Sequence, residues 1–352
     1  MIDKGKRMDI LHEAVAEMIQ KMVEESGAAN DEEISKVMEE ILPGAISKIS
    51  KLLHETLIRN SAAMLAERRK STYAFCRRNM KRWKPAFDLF ETYIVICTEA
   101  GEQFNKALRP KAAEKCDITF DLVVRHHARA CQIAEEILCL LKCGFADGAH
   151  ARWRALHEVA VTAMFIGKHG YQCAERFYWH EIVESYKGML IHKEYEHRLQ
   201  EKGPSTDDVA EYKSMYESLI ERFGKDFSQP YGWASFILAN KKVTFADIEK
   251  DVGLDHMRPY YKWASQNIHS GAKGIRKKLG LCEATEDILL VGRSNSGMTD
   301  PAHATAISLA QVTSALLVLE PNTDRIVELK IIQQMEEEIG QIFLKCGNKR
   351  KS

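Results

Sequence analysis

The chain has 352 residues, with 50 basic and 50 acidic side chains, a formal net charge of zero, 45% hydrophobic and 28% charged residues. That length suits two or three domains and a core needing neither disulfides nor metals, and the balanced charge excludes steering of the whole molecule toward polyanions. Only 8 prolines and 20 glycines interrupt it, which favours long helices over many short strands and predicts an all-α fold.

Residues 8–26 read as an amphipathic helix, with Ile10, Leu11, Val15, Met18 and Ile19 near helical spacing and Gly27 as its stop. A second helix is expected over 31–42, with Asp31 as N-cap, broken at Pro43 and Gly44. This stretch is acidic: Glu24, Glu25, Asp31, Glu32, Glu33, Glu39 and Glu40. A long helical segment over 45–84 follows, Pro85 marks a kink or new start, and 86–108 is again helical. Arg109 and Pro110 begin a connector, which divides the chain into a helical N-terminal region, 1–110, and a helical domain, 111–352.

From 118 the pattern sharpens. Leu122, Val123, His126, Ile133, Ile137, Leu140 and Leu141 line a helix that Gly144 caps, and a short turn leads into a helix over 148–168 striped by Ala149, Trp153, Leu156, Ala160, Ala163 and Met164. So short a connection predicts an antiparallel pair. Further helices are expected over 171–200, over 208–223 after a cap signal in Gly203–Asp208, and from Thr244 to Val252 with Gly253 as stop. Residues 224–242 read as irregular. Pro259 precedes a helix bearing Ser265 and His269, with Ser270 beside them, and helices over 302–319 and to about 345 close the fold before a frayed Lys349–Lys351 tail.

The nine cysteines are odd in number, irregularly spaced and contain no C-x-x-C pair. This is neither a zinc frame nor a secreted disulfide frame, and Cys139 and Cys143, one turn apart, read as packing residues. No metal site and no cofactor is expected. Met1–Arg7 is polar rather than leader-like and no apolar run reaches about 18 residues, so the expectation is a cytoplasmic protein without a membrane span.

The densest chemistry lies on the 148–168 helix, which gathers Arg152, Arg154, His157 and Glu158 within seven residues. Arg154 and Glu158 are four apart and share a face, with His157 three beyond Arg154. One reading is an acid–base or anion-binding site, with His157 moving a proton and an arginine holding a phosphate oxygen. The competing reading is an ion pair bracing the helical core. Ser265 and His269, one turn apart, lack a nucleophile elbow and an oxyanion hole, so they read as a hydrogen-bonded bridge to the Arg154/Glu158 helix rather than a serine hydrolase pair.

Arg152-Trp153-Arg154-Ala155-Leu156-His157 fits the R-x4-H spacing of the HEPN superfamily, which it resembles. The longer pattern is similar to an uncharacterised bacterial family of unknown function with an R-x3-E helix, here Arg154 to Glu158, and an S-x3-H helix, here Ser265 to His269. The resemblance covers about 118–320. It implies a HEPN-like helical bundle and a homodimer with the site formed across it. It also implies a defence or toxin setting and metal-independent RNA cleavage through the substrate's own 2′-hydroxyl. Trp153 follows Arg152 where active HEPN enzymes commonly carry a polar residue. Arg152 and His157 also stand about 140° apart on an ideal helix, so Arg154 faces His157 better.

Residues 67–84 carry Arg68, Arg69, Lys70, Arg77, Arg78, Lys81, Arg82 and Lys84 against Glu67, interleaved with Tyr73, Phe75 and Trp83. This pattern suits phosphate contact with base stacking, or a solvated helix face. Gly292–Thr299 mimics a phosphate-binding loop, but Met298 stands where its lysine belongs and no βαβ unit surrounds it, so it reads as a helix start at Asp300-Pro301. Thr244–His256 has a helix-turn-helix look that Pro259 spoils. The expectation is therefore a defence or toxin-type protein, an endoribonuclease with an Arg/His site. The alternative is a non-catalytic helical module binding a protein or nucleic-acid partner.

Overall fold

The computed structural model describes residues 16–17, 20–21, 23–27, 31–238, 242–269 and 271–348. Ile10, Leu11, Val15, Met18, Ile19, Ser270 and Lys349–Lys351 lie outside them. The fold is all-α, and among the described residues there is no strand. Two compact units are present, Met1–Phe75 and Cys76–Ser352.

In the first unit, residues 16–17, 20–21 and 23–26 are helical and Gly27 turns the chain at φ 72°. The helix α1, Asp31–Glu114, then begins. It corrects three expectations, because Pro43-Gly44 does not break it, Pro85 starts nothing new, and Arg109-Pro110 opens no connector. An interior proline forfeits one hydrogen bond and crowds the carbonyl four residues back, about 3 kcal/mol. At Pro85 the packing of Trp83, Ala86, Phe87 and Phe90, all buried, opposes that cost, since each large apolar side chain contributes about 1.5–3 kcal/mol. Within the first unit Ile46, Leu52, Leu57, Ile58 and Met64 are exposed.

The second unit is built around a helical hairpin. The helix α2, Ile118–Lys142, starts at Asp117, whose side chain accepts from Phe120 N–H, and α3 spans Ala146–His169. Gly144 N–H donates to Leu141 O and Phe145 N–H to Leu140 O, the paired bonds of a Schellman cap. Glu136 on α2 meets Arg152 on α3, each eight residues from Gly144, as an antiparallel pair requires. Then come α4 (Tyr171–Leu199), α5 (Thr206–Phe223), α6 (Ser235–Leu238), α7 (Phe245–Asp251), α8 (Arg258–Ser265), α9 (Ala272–Arg276), α10 (Thr299–Leu317) and α11 (Thr323–Asn348). Capping boxes at Ser205/Asp208 and Thr244/Asp247 start α5 and α7, at the expected places. Within the expected irregular stretch, Lys225–Ser228 and Gly232–Ala234 form single 3-10 turns.

The helix α10 packs against α2, α3 and α11, with Ala302, Ala306, Leu309 and Val312 fully buried. Two of its polar groups are bonded inside the core: Ser308 Oγ accepts from Trp153 Nε1 at 3.0 Å, and the Ala306 carbonyl accepts from Tyr93 at 2.8 Å. Phe343 of α11 sits among Trp83, Phe87 and Phe90, with centroids 5.7–6.1 Å apart. All nine cysteines are free, and Cys139 is exposed rather than packed, because the α2 stripe points the other way.

One close approach fixes a residue choice. A Cβ on Gly101 would lie 2.3 and 2.4 Å from the His127 ring, which is buried and bonded to Thr313 at 3.1 Å. Gly101→Ala is therefore expected to cost about 1–3 kcal/mol through overpacking. A shift in the urea midpoint checks this, and an unchanged midpoint would show that the ring has room to move.

Candidate functional site

The four charged groups on α3 separate by face. Arg152 is directed to Glu136 on α2 and takes no part in the rest of the cluster. Arg154 and Glu158 pair on the adjoining face at 3.1 Å. His157 points inward, 0% exposed, and its Nε2 lies 2.8 Å from Glu249 Oε1 on α7, itself 0% exposed. The sequence-based expectation that His157 answers Arg154 is thus corrected. His157 is turned toward α7, between Trp153 and Tyr261, and Arg152 and His157 do not meet.

Arg258, at the start of α8, reaches the other oxygen of Glu249 at 2.6 Å. The buried centre is therefore a carboxylate flanked by an imidazole and a guanidinium. The Arg258 contact is an ion pair whose geometry makes no hydrogen bond, and among the described residues His157 Nδ1 has no hydrogen-bond partner either. A buried carboxylate survives only where opposite charge and donors surround it, and here α3, α7 and α8 each supply one member.

Nearer the surface, Tyr261 of α8 donates its hydroxyl to Glu158 Oε1 at 2.5 Å, and the Arg154 guanidinium lies 4.8 Å from the Tyr261 ring centroid. Burial, then the bond to Glu158, raises the Tyr261 phenol well above its ordinary range, so it stays a donor. His269 is exposed, and its Nε2 stands 3.4 Å from Arg154 Nη1. The regular helix ends at Ser265, which corrects the expectation of one helix carrying both Ser265 and His269. The chain still turns helically there, because His269 N–H donates to Ser265 O at 3.1 Å. The Ser265 hydroxyl donates to Tyr261 O at 2.7 Å and fastens its own helix instead of bridging to α3.

The structure therefore gathers Arg154, Glu158 and His269, brings in Tyr261, and separates off Arg152, His157 and Ser265. Glu249, Arg258 and Tyr261 were not singled out from the sequence. Glu249 carried a signal: it falls on the same face as Phe245, Ile248 and Val252, where a solvated glutamate has no reason to be. Among the described residues no group of three or more His, Cys, Asp or Glu could hold a metal ion.

The basic run divides at the boundary between the units. In the first, Arg68, Arg69 and Lys70 are exposed, as is Tyr73. In the second, Arg77, Arg78 and Lys81 are exposed, Lys84 pairs with Asp88, and Arg82 is tied to Glu283 at 2.7 Å and to Asn295 O at 2.8 Å. Trp83 is buried and donates to Asn295 O, so it cannot stack on a base, contrary to expectation. The Gly292–Thr299 loop is a clasp on the hairpin turn: Arg293 donates to Cys143 O at 2.7 Å, Ser294 N–H to Gly144 O at 3.0 Å, and Met298 is fully buried.

Among the described residues no helix is long and apolar enough to cross a membrane. No curated protein and no solved structure matches this chain. Residues 120–287, which hold the whole Arg154–Glu158–Tyr261–His269 cluster and the Glu249 centre beneath it, are similar to a family of unknown function (DUF5677).

Proposed function

We propose that this chain is a defence or toxin-type helical protein, and that its reaction is metal-independent cleavage of RNA at the Arg154–His269 pair. The observation that carries this reading is the exposed imidazole of His269 next to a guanidinium, backed by the Tyr261 and Glu158 hydroxyl–carboxylate pair. Arg154 would hold a phosphate oxygen, and His269 would take the proton from the substrate's 2′-hydroxyl as that oxygen attacks phosphorus; the P–O5′ bond then breaks, leaving a 2′,3′-cyclic phosphate and a 5′-oxygen that takes its proton from water. Glu158 and the Tyr261 ring fix the guanidinium in place. The HEPN-like roles expected of Arg152 and His157 pass to Arg154 and His269, since His157 has no exposed surface. A homodimer would set two such sites together.

The second reading, a non-catalytic module for a protein or nucleic-acid partner, is favoured by a specific observation. Glu158 already neutralises Arg154 and would oppose an incoming phosphate. Cleavage of labelled single-stranded and transfer RNA in EDTA decides between them. The wild-type protein is expected to cut, while Arg154→Ala and His269→Ala each lose about 100-fold or more and Arg152→Ala retains activity. Failure to cut, or cutting indifferent to His269, would overturn the nuclease and leave the binding module.

A further inference from the structure

A cavity of about 380 Å³ opens where α8, α9 and the start of α10 converge. It is lined by Trp263, Lys273, Lys277, Lys278, Cys282 and Asp300, together with Leu279. Its lysines lie on a segment fixed at both ends. Gly274 presses on the end of α8 so closely that a Cβ there would fall 2.0 Å from Gln266 O. Beyond the lysines, the backbone N–H groups of Leu279 and Gly280 donate to the two carboxylate oxygens of Asp147, at 2.8 and 3.1 Å. The ammonium groups are thereby gathered without a long loop to order on binding, which lowers the entropy cost of filling the cavity.

Charge defines the occupant. None of Lys273, Lys277 and Lys278 forms an ion pair with a described residue, and Asp300 is the one acid in the lining. Lys273 and Lys277 are exposed and Lys278 half-buried, so the lining carries three cations against one acid, a net positive field. Trp263 adds an aromatic surface to the lining and is held edge-on by His150 at 4.9 Å between centroids. Ammonium groups, an indole and a carboxylate able to accept from a sugar hydroxyl together match the phosphate, base and ribose of one nucleotide.

We propose that this cavity binds a ribonucleotide unit, with the base against Trp263 and its phosphates on Lys273, Lys277 and Lys278. Because the segment follows His269 directly in the chain, the cavity would hold substrate RNA beside the cleavage site; this extension rests on the nuclease reading above, whereas nucleotide binding does not.

The test is fluorescence polarisation of a labelled single-stranded oligoribonucleotide with the full chain in EDTA, at several salt concentrations and with adenosine monophosphate as competitor. Relative to wild type, the Lys273→Gln/Lys277→Gln/Lys278→Gln variant is expected to bind at least tenfold more weakly. It should also show a shallower salt dependence on a log–log plot, by about 0.7 for each phosphate that is no longer neutralised. Trp263→Leu, checked for folding by circular dichroism, should weaken binding at unchanged salt slope. Competition by the mononucleotide identifies a free nucleotide as sufficient, and binding without competition identifies the polymer; both support the site. Absence of binding by the wild type, or equal affinity and salt slope in the lysine variant, would overturn it. Binding without cutting would sink the nuclease and leave the cavity standing. Cutting by a lysine variant of undiminished affinity would do the reverse.

Discussion

Glu249→Ala should cost about 3–5 kcal/mol of stability, the usual consequence of removing one partner from a buried charged set. The carboxylate has no exposure and faces His157 at 2.8 Å and Arg258 at 2.6 Å. Its loss strands the fully buried His157, forces Arg258 toward solvent, and leaves a void between α3, α7 and α8. Glu249→Gln retains a partner for His157 Nε2 but not the charge opposite Arg258, so an intermediate loss is expected. The combined change His157→Leu/Glu249→Leu should recover most of the deficit, because an apolar pair of similar volume needs no desolvated charge, and Arg258, 24% exposed, can turn to water. Urea denaturation of the single and double variants forms the cycle. A Glu249→Ala protein within about 1 kcal/mol of wild type would mean that the centre contributes little to holding the three helices together.

Stability should also fall steeply on mild acidification. Burial lowers His127 and His150 to about 4 from the ordinary 6.5. Between those values the unfolded chain binds a proton at each site that the folded protein refuses, so stability rises with pH across this window and is lost as pH drops through it. At pH 5 each imidazole should contribute a loss of about 2 kcal/mol relative to pH 7.5, or about 4 kcal/mol together. His126, also held below its usual value by burial, acts in the same direction. Urea midpoints at pH 7.5 and pH 5 measure the drop, and His150→Phe should flatten it by about half. A pH profile identical in that variant would show that His150 is protonated in the native state.

The contrast between legible and hidden parts follows sequence distance. The α2–α3 hairpin, the Ser205 and Thr244 caps and the helical class could be read because each depends on residues within a few turns of one another. Arg154 and Glu158 were placed together for the same reason, being about 40° apart on an ideal helix. The depth of His157 was hidden because Glu249, the residue that receives it, lies 92 positions away on a short helix whose placement no local pattern specifies. The prolines of α1 misled in the opposite direction. Their local propensity was read correctly, but at Pro85 it was outweighed by packing of Trp83 and Phe87 with α11.

The position of α10 has a consequence for where this architecture can be cut. The stretch similar to the family of unknown function, residues 120–287, stops before Thr299, yet α10 buries Ala302, Ala306, Leu309 and Val312 against α2 and α3, and Ser308 receives the Trp153 indole. The matched stretch by itself therefore lacks a helix that its own hairpin packs against. A fragment cut to 120–287 would leave the inner faces of its own hairpin bare, so it is expected to fold only when a helix equivalent to α10 is supplied to fill the same slot.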